Sequence, residues 1–270
     1  MLKTNKDVNI LVSSCDEYSD LWSPFFALFE RYWSDCPYPI YLSTVSTPFS
    51  SSIVHQVLVG SRIGWGDGLI KALSIIQQSS PSKYTILLLD DYLLNKRVDS
   101  ARIQACIHAL EALDGHYLRL VPKPAPDIPV PQYTFLGKIS KNSPYRLSLQ
   151  ASLWKTETLI SLLRPTDTPW DMELIGSERS KQYDGFYCTN RSIVSYLNGV
   201  DRGRWVPESR EFLTNQGIIV NTSIRPIYTD DEFFLDSKSH FKKILRKILP
   251  LQQRLFLRTL YAKVFKRHID

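Results

Sequence analysis

The chain has 270 residues, 43% hydrophobic, 22% charged and 12% aromatic, a composition that excludes a disordered chain, a collagen-like repeat and a coiled coil. No apolar run reaches the roughly 20 residues that span a bilayer, and Met1 to Asn9 lacks the apolar core of a secretory signal, so a cytoplasmic protein is expected. The net charge of +6 is unevenly placed: Met1 to Ser237 carries 23 Lys and Arg against 26 Asp and Glu, whereas Lys238 to Asp270 carries 10 against 1. The body is mildly acidic and the basicity belongs to the tail, so the charge is not a nucleic-acid footprint.

Val8 to Val12 is a short apolar run ending at Ser13-Ser14-Cys15-Asp16, the pattern of a buried parallel strand opening into a polar loop. Asp20 to Trp33 places Leu21, Phe25, Leu28, Phe29 and Tyr32 at helical spacing. Pro39 to Ser43 and Ile53 to Val59 read as strands, and Leu69 to Ile76 as a helix opened by Trp65-Gly66-Asp67-Gly68. Tyr84 to Leu89 is the most strand-like segment and stops abruptly at Asp90-Asp91. A helix through Ile103, Ile107 and Leu110 and a strand at Tyr117 to Val121 follow, and this alternation predicts an α/β domain with a mostly parallel sheet. Pro122 to Pro131 holds five prolines, hence an extended connection. Beyond it Tyr133 to Ile139 and Arg146 to Ser152 read as strands, Thr156 to Leu163 as a helix and Arg164 to Pro169 as a loop.

The four cysteines show no C-x-x-C pair and the five histidines no ligand spacing, so neither a zinc site nor a disulfide framework is expected. Ligands of open α/β sheets bind beyond the carboxyl ends of the strands, which makes Asp90-Asp91 the first candidate. Paired carboxylates there suit Mg²⁺ or Mn²⁺ together with a diphosphate, although Asp also serves in turns and caps. The start of the helix at Trp65 to Gly68 offers backbone amides to a phosphate, but neither a G-x-G-x-x-G nor a Walker sequence occurs. In Trp170-Asp171-Met172-Glu173, either carboxylate beside the tryptophan fits a general base, or an ordinary acid of a first helical turn.

In the tail, Phe241, Ile244, Leu245, Ile248 and Leu249 form one helical face and Lys242, Lys243, Arg246 and Lys247 the other. This predicts a basic amphipathic helix over 238–270 that lies on an anionic membrane surface, or packs on its own domain over 1–237.

In their order along the chain, Asn9 to Asp16, Trp65-Gly66-Asp67, Tyr84 to Tyr92, and Arg146 to Trp154 leading to Trp170-Asp171-Met172-Glu173 resemble a bacterial GT-A type glycosyltransferase of capsule, lipopolysaccharide or exopolysaccharide synthesis. The resemblance covers Val8 to Trp205. It implies a single GT-A-like domain with a Rossmann-like sheet flanked by helices, and transfer of a sugar from a nucleotide-sugar donor to a glycan or lipid-linked acceptor. It further implies donor binding by Ser13, Ser14, Asp16, Trp65, Asp67, Asp90 and Asp91, with Asp90-Asp91 standing in for a D-x-D motif. Asp91 would contact a divalent metal, Mg²⁺ or Mn²⁺, and Glu173, or else Asp171, would act as base in an inverting displacement. Tyr92 and Leu93 follow Asp91 where a strict D-x-D would continue. The place implied is the inner face of the plasma membrane, peripherally bound. Two other classes stay open: a sugar-phosphate nucleotidyltransferase, whose glycine-rich basic signature is absent after Val12, and a non-catalytic adaptor for membrane or nucleic acid.

Overall fold

The computed structural model describes residues 7–60 and 64–229. The basic tail and the expected boundary at Ser237 lie outside the described residues.

The chain opens with β1 (Val8–Ser13), buried at every position, and α1 (Ser19–Tyr32). Next come β2 (Ile40–Thr44), β3 (Val54–Leu58), α2 (Trp65–Ser79), β4 (Tyr84–Leu89), β5 (Tyr92–Leu94) and α3 (Ser100–Ala112). Four strands follow without a helix between them: β6 (Tyr117–Arg119), β7 (Ile128–Pro129), β8 (Leu136–Lys138) and β9 (Ser152–Lys155). Then come α4 (Thr156–Leu162), α5 (Pro169–Arg179), β10 (Phe186–Thr189), β11 (Tyr196–Asn198), the hairpin β12 (Val200–Asp201) and β13 (Arg204–Trp205), and α6 (Pro207–Asn215).

Nine strands form one sheet in the order β3-β2-β1-β4-β9-β6-β10-β8-β7. The α/β class is as expected, but the sheet is mixed rather than mostly parallel. Pairings β3-β2, β2-β1, β1-β4 and β6-β10 are parallel, while β4-β9, β9-β6, β10-β8 and β8-β7 are antiparallel. The reason is connectivity. Parallel neighbours need a long crossover, usually a helix, and the alternation of strand and helix lapses after β6.

Side-chain alternation along β1 separates the two layers. Val8, Ile10 and Val12 face α1 and α3, packing with Trp22, Phe25, Phe29, Ile103 and Leu110. Leu11 faces the other way, toward Leu69, Leu73 and Ile76 of α2, Leu159 of α4 and Met172 of α5. A smaller cluster of Leu21, Leu28, Leu93, Val200, Trp205 and Leu213 fastens the C-terminal hairpin and α6 onto α1 and β5.

The expected strand over Arg146 to Ser152 is not one; only Ser152 is in a strand. Its backbone is satisfied by side chains instead of a ladder. Leu147 N donates to Ser177 Oγ at 2.9 Å and Leu149 N to Glu173 Oε1 at 2.8 Å, while the Tyr117 hydroxyl donates to Ser148 O at 2.8 Å. Arg119, fully buried, donates to the carbonyls of Tyr145 at 2.6 Å, Arg146 at 3.1 Å and Pro124 at 2.6 Å. Leu147 and Leu149 still enter the core, so the apolar alternation that suggested a strand reports burial rather than pairing.

Candidate functional site

β1 and β4 are parallel neighbours in a register that sets Ser13 against Leu89, so the residues that end them emerge side by side. Ser14 Oγ donates to an Asp90 carboxylate oxygen and accepts from the Trp22 indole nitrogen at 2.7 Å. Asp90 is buried, and Asp91 half-buried beside it. Burial pushes the Asp90 carboxyl well above its ordinary value and the neighbouring Asp91 adds to this, against the pull of Ser14 and Arg225. For Asp91 burial again leads; its own backbone amide and Arg225 oppose, Asp201 reinforces, and the carboxyl is pushed up to about 7.

The segment around β12-β13 meets this end of the sheet. Gly199 N donates to Asp91 O at 2.6 Å, and a Cβ at Gly199 would come within 3.0 Å of the Leu93 side chain. Arg225, far downstream of the first loop in sequence, brings the cation. Its Nε and Nη2 donate to both oxygens of Asp20 at 3.0 and 2.9 Å, Nη2 also to Glu17 O at 3.0 Å, and its guanidinium lies 4.4 Å from the Tyr18 ring centre. That ion pair is almost wholly shielded from solvent, and losing one partner of such a pair costs about 3–5 kcal/mol.

Glu173 is tied to the 145–150 segment. Its Oε1 accepts from Leu149 N at 2.8 Å and Ser148 Oγ at 3.2 Å, while Leu149 O accepts from the Tyr92 hydroxyl at 2.7 Å. Tyr92 stacks on Tyr196 with centroids 4.1 Å apart, and Tyr196 donates to Gln150 Oε1 at 2.6 Å. Burial raises the Glu173 carboxyl above its ordinary value, against the hydrogen bonds from Leu149 and Ser148 and the charge of Arg119. Asp171, by contrast, closes a capping box: its Oδ2 accepts from Thr168 N at 3.1 Å and Thr168 Oγ1 at 2.7 Å, and its own amide donates back to Thr168 Oγ1 at 3.2 Å. Glu173 thus reaches the 145–150 segment, and Asp171 caps the helix that carries it.

The other expected site residues divide. Ser13 is buried at the end of β1. Asp16 accepts from the amides of Val45, Ser46 and Thr47 at 2.9, 3.2 and 3.0 Å and from Ser46 Oγ at 2.8 Å. Desolvation pulls that carboxyl up, but the hydrogen bonds from Ser46 and Thr47 outweigh it and hold it below its ordinary value. Asp16 therefore ties the first loop to the end of β2. Trp65 packs beside the α2 layer, and Asp67 pairs with Lys71 at 3.4 Å. The Gly66 amide donates to Asp167 O at 3.0 Å, and a Cβ at Gly66 would lie 2.2 Å from Arg164 O. The start of α2 thus receives the protein's own 164–167 turn, and no hydrogen bond or ion pair among the described residues joins Trp65 or Asp67 to Asp90 or Asp91.

Among the described residues, no three or more His, Cys, Asp or Glu side chains converge to hold a metal ion. A Mg²⁺ or Mn²⁺ ion held by one or two carboxylates and the phosphates of a substrate needs no such cage, and the adjacent carboxylates of Asp90 and Asp91 have the donor chemistry that such an ion takes. Arg225, Asp20 and Tyr196 were missed from sequence, and Tyr92 was read only as the residue that follows Asp91. Each is a single polar or aromatic residue without a motif, brought in by tertiary contacts. Asp201 carried a turn signal in Asp-Arg-Gly, consistent with Arg202 and Gly203 at φ 48° and 79°.

No helix among the described residues is long and apolar enough to cross a membrane. No family model matches the chain, and no curated protein matches it. Solved structures similar to it include S. aureus TarS, at 13% identity over 70% of this chain and 36% of that one, with a TM-score of 0.44. TarS 1-349 in complex with UDP is similar at 10% identity over 67% of this chain and 59% of that one, TM-score 0.41. A cytidylyltransferase from Leptospira borgpetersenii serovar Hardjo-bovis is similar at 11% identity over 83% of this chain and 99% of that one, TM-score 0.40. This chain matches well under half of the full TarS chain.

Proposed function

We propose that this chain transfers a sugar from a nucleotide-sugar donor to a hydroxyl of a glycan or lipid-linked acceptor in bacterial surface polysaccharide synthesis, with inversion at the anomeric carbon. The observation that carries the reading is a division of labour between carboxylates. At the end of β4 Asp90 accepts from Ser14 with Asp91 next in sequence, and a separate acid, Glu173, is joined through the Leu149 peptide to Tyr92, the residue after Asp91. An open α/β sheet binds its ligand at this end of its strands.

On the donor side, Ser13, Ser14 and Asp91 would meet the donor beyond the ends of β1 and β4, with Asp90 next to Asp91, and Asp16 fixes the loop beside them. Asp91, with Asp90, would hold Mg²⁺ or Mn²⁺ against the donor diphosphate. When bound, that ion supplies positive charge that offsets the charge developing on the leaving group. On the acceptor side Glu173 accepts the proton of the attacking hydroxyl. Burial raises its carboxyl toward the range in which a base works near neutral pH, and Leu149 N keeps Oε1 in place while it does so. Asp171 sets the start of the helix that carries Glu173. The reading also includes a catalytic unit over 1–237, a tail over 238–270 at the cytoplasmic face of the plasma membrane, and no nucleic acid among its partners.

The test is incubation of the full chain with uridine, guanosine, cytidine and thymidine diphospho-sugars, with Mn²⁺ or with chelator. Acceptor-dependent release of nucleoside diphosphate is the expected result. Pyrophosphate formed from a nucleoside triphosphate and a sugar phosphate would instead identify a nucleotidyltransferase. Neither product, together with retained vesicle binding, would leave an adaptor. A thermal-shift screen against the same nucleotides identifies base and metal together, since a ligand that binds only the folded state stabilises it by mass action.

A further inference from the structure

A cleft of about 200 Å³ lies between residues 141–145 and α5, and Glu173 is on its wall. Pockets for drug-sized ligands run to roughly 300–1,000 Å³, so this one suits a single small unit. The geometry points to a subsite here for one neutral pyranoside unit of the acceptor, an inference that rests on the reading of Glu173 as the base.

Four observations carry it. First, Glu173 Oε1 is occupied by Leu149 N and Ser148 Oγ, whereas no hydrogen bond to Oε2 is found among the described residues. One oxygen fixes the carboxylate and the other is left for a ligand hydroxyl. Second, the lining sets Tyr145 near the exposed Asn142, while the hydroxyls of Ser143 and Ser177 are engaged by Asp127 and by Glu173 O and Leu147 N and shape the wall without facing a ligand as free donors. A pyranoside presents hydroxyls around its edge and an apolar face of C–H groups; Tyr145 complements the face, and Asn142 with Glu173 Oε2 the hydroxyls.

Third, Tyr145 holds φ at 51°, a left-handed conformation that costs a bulky residue energy and persists only where its surroundings enforce it. The enforcing group is the fully buried Arg119, whose Nη2 donates to Tyr145 O at 2.6 Å. A buried arginine that donates to backbone carbonyls is thus used to fix the residue that forms the cleft wall. Fourth, the cations of the rim are already neutralised. Lys181 pairs with Glu178 at 2.6 Å and Lys141 with Asp184 at 3.4 Å, and an anionic ligand would also meet Glu173. The charge balance selects a neutral sugar over a phosphorylated or acidic one.

The test uses the full chain labelled with ¹⁵N, titrated to tens of millimolar with methyl β-D-glucopyranoside, methyl β-D-galactopyranoside or methyl α-D-mannopyranoside. Saturable shifts of amides in 141–145 and 173–178 with at least one of these are expected. Tyr145→Ala should weaken that binding by about tenfold or more, a loss of about 1.4 kcal/mol. Asn142→Trp, at an exposed rim position, should block the cleft without touching the core. Asp91→Asn should leave the shifts intact.

Absence of shifts with all three sugars overturns the subsite, as do shifts confined to the Asp90–Asp91 end or shifts that survive both Tyr145→Ala and Asn142→Trp. Tighter binding of methyl β-D-glucuronide than of the neutral glycosides overturns the neutral class. The two readings fail separately. Turnover without sugar shifts removes the subsite alone, and sugar shifts without turnover of any donor remove the transferase reading alone.

Discussion

Leu149 and Glu173 share a hydrogen bond of 2.8 Å from backbone amide to carboxylate, and the carbonyl of Leu149 accepts from Tyr92 at 2.7 Å. One residue's backbone therefore separates the acid on α5 from the residue that directly follows Asp91. Replacing Glu173 by Gln keeps an oxygen for Leu149 N but removes the ability to take a proton. The expected result is a fall in kcat of about 10²–10⁴-fold with donor KM unchanged. Unchanged kcat in steady-state assays would take the base role away from this residue.

The same substitution carries a prediction about stability. The Glu173 carboxyl is raised above its ordinary value in the folded state, chiefly by burial. A group raised in this way favours folding fully below its unfolded pKa and loses that contribution as pH rises through the folded value. Urea unfolding of the wild type should therefore show this loss as pH rises above the ordinary glutamate range, whereas Glu173→Gln, unable to ionise, should not. Parallel pH profiles for the two proteins would contradict the burial argument.

Asp91→Asn should abolish transfer while leaving the thermal midpoint unchanged or higher. The carboxyl is pushed up to about 7 by burial and by Asp201, so a neutral isostere relieves repulsion instead of removing a favourable contact. A large loss of midpoint would show that Asp91 serves the fold, and near-normal activity would move the donor site elsewhere.

Much of the layer structure was legible in the sequence, because β1, β4 and α1 follow simple rules: apolar runs for strands covered on both faces, and helical spacing for a helix covered on one. Strand direction was not, since nothing in the residues of β9 records that it enters antiparallel between β4 and β6. The Asp90–Asp91 end could be found because an apolar strand stops there in two acids. Arg225 could not, because the ion pair to Asp20 joins residues far apart in the chain and exists only once α1 and the C-terminal segment have packed. The segment from Arg146 misled for a related reason: its backbone partners are Arg119, Tyr117, Glu173 and Ser177, none of them visible from local pattern.

Asp171→Ala separates cap from catalyst. Losing a capping residue typically costs about 1 kcal/mol, and the Thr168–Asp171 box is fully formed. The expected variant is modestly less stable and retains most of its activity at a temperature where it stays folded. A fall in kcat comparable to that of Glu173→Gln would assign proton transfer to Asp171.

The basic tail should attach the protein to anionic membranes through charge and apolar burial together. Lys242, Lys243, Arg246 and Lys247 stand at helical spacing opposite Phe241, Ile244, Leu245, Ile248 and Leu249, in the segment that holds 10 Lys and Arg against 1 acid. Near an anionic surface each such cation contributes about 1 kcal/mol, so replacing these four by Gln should weaken binding to phosphatidylserine-containing vesicles by about 4 kcal/mol. Activity on a soluble acceptor should be unchanged, because the substitutions remove charge and leave the apolar face intact. Salt gives an independent reading. Raising ionic strength screens the cations but not apolar burial, so wild-type attachment should fall only in part, whereas replacement of Ile244 and Ile248 by Asp should abolish it at every salt concentration. An enzyme confined to the surface meets a lipid-linked acceptor in a thin layer, so the Gln variant should also lose turnover on acceptor in vesicles while keeping it in solution. If the Gln variant instead loses activity on both acceptors, the tail packs against the catalytic unit and the membrane reading is wrong.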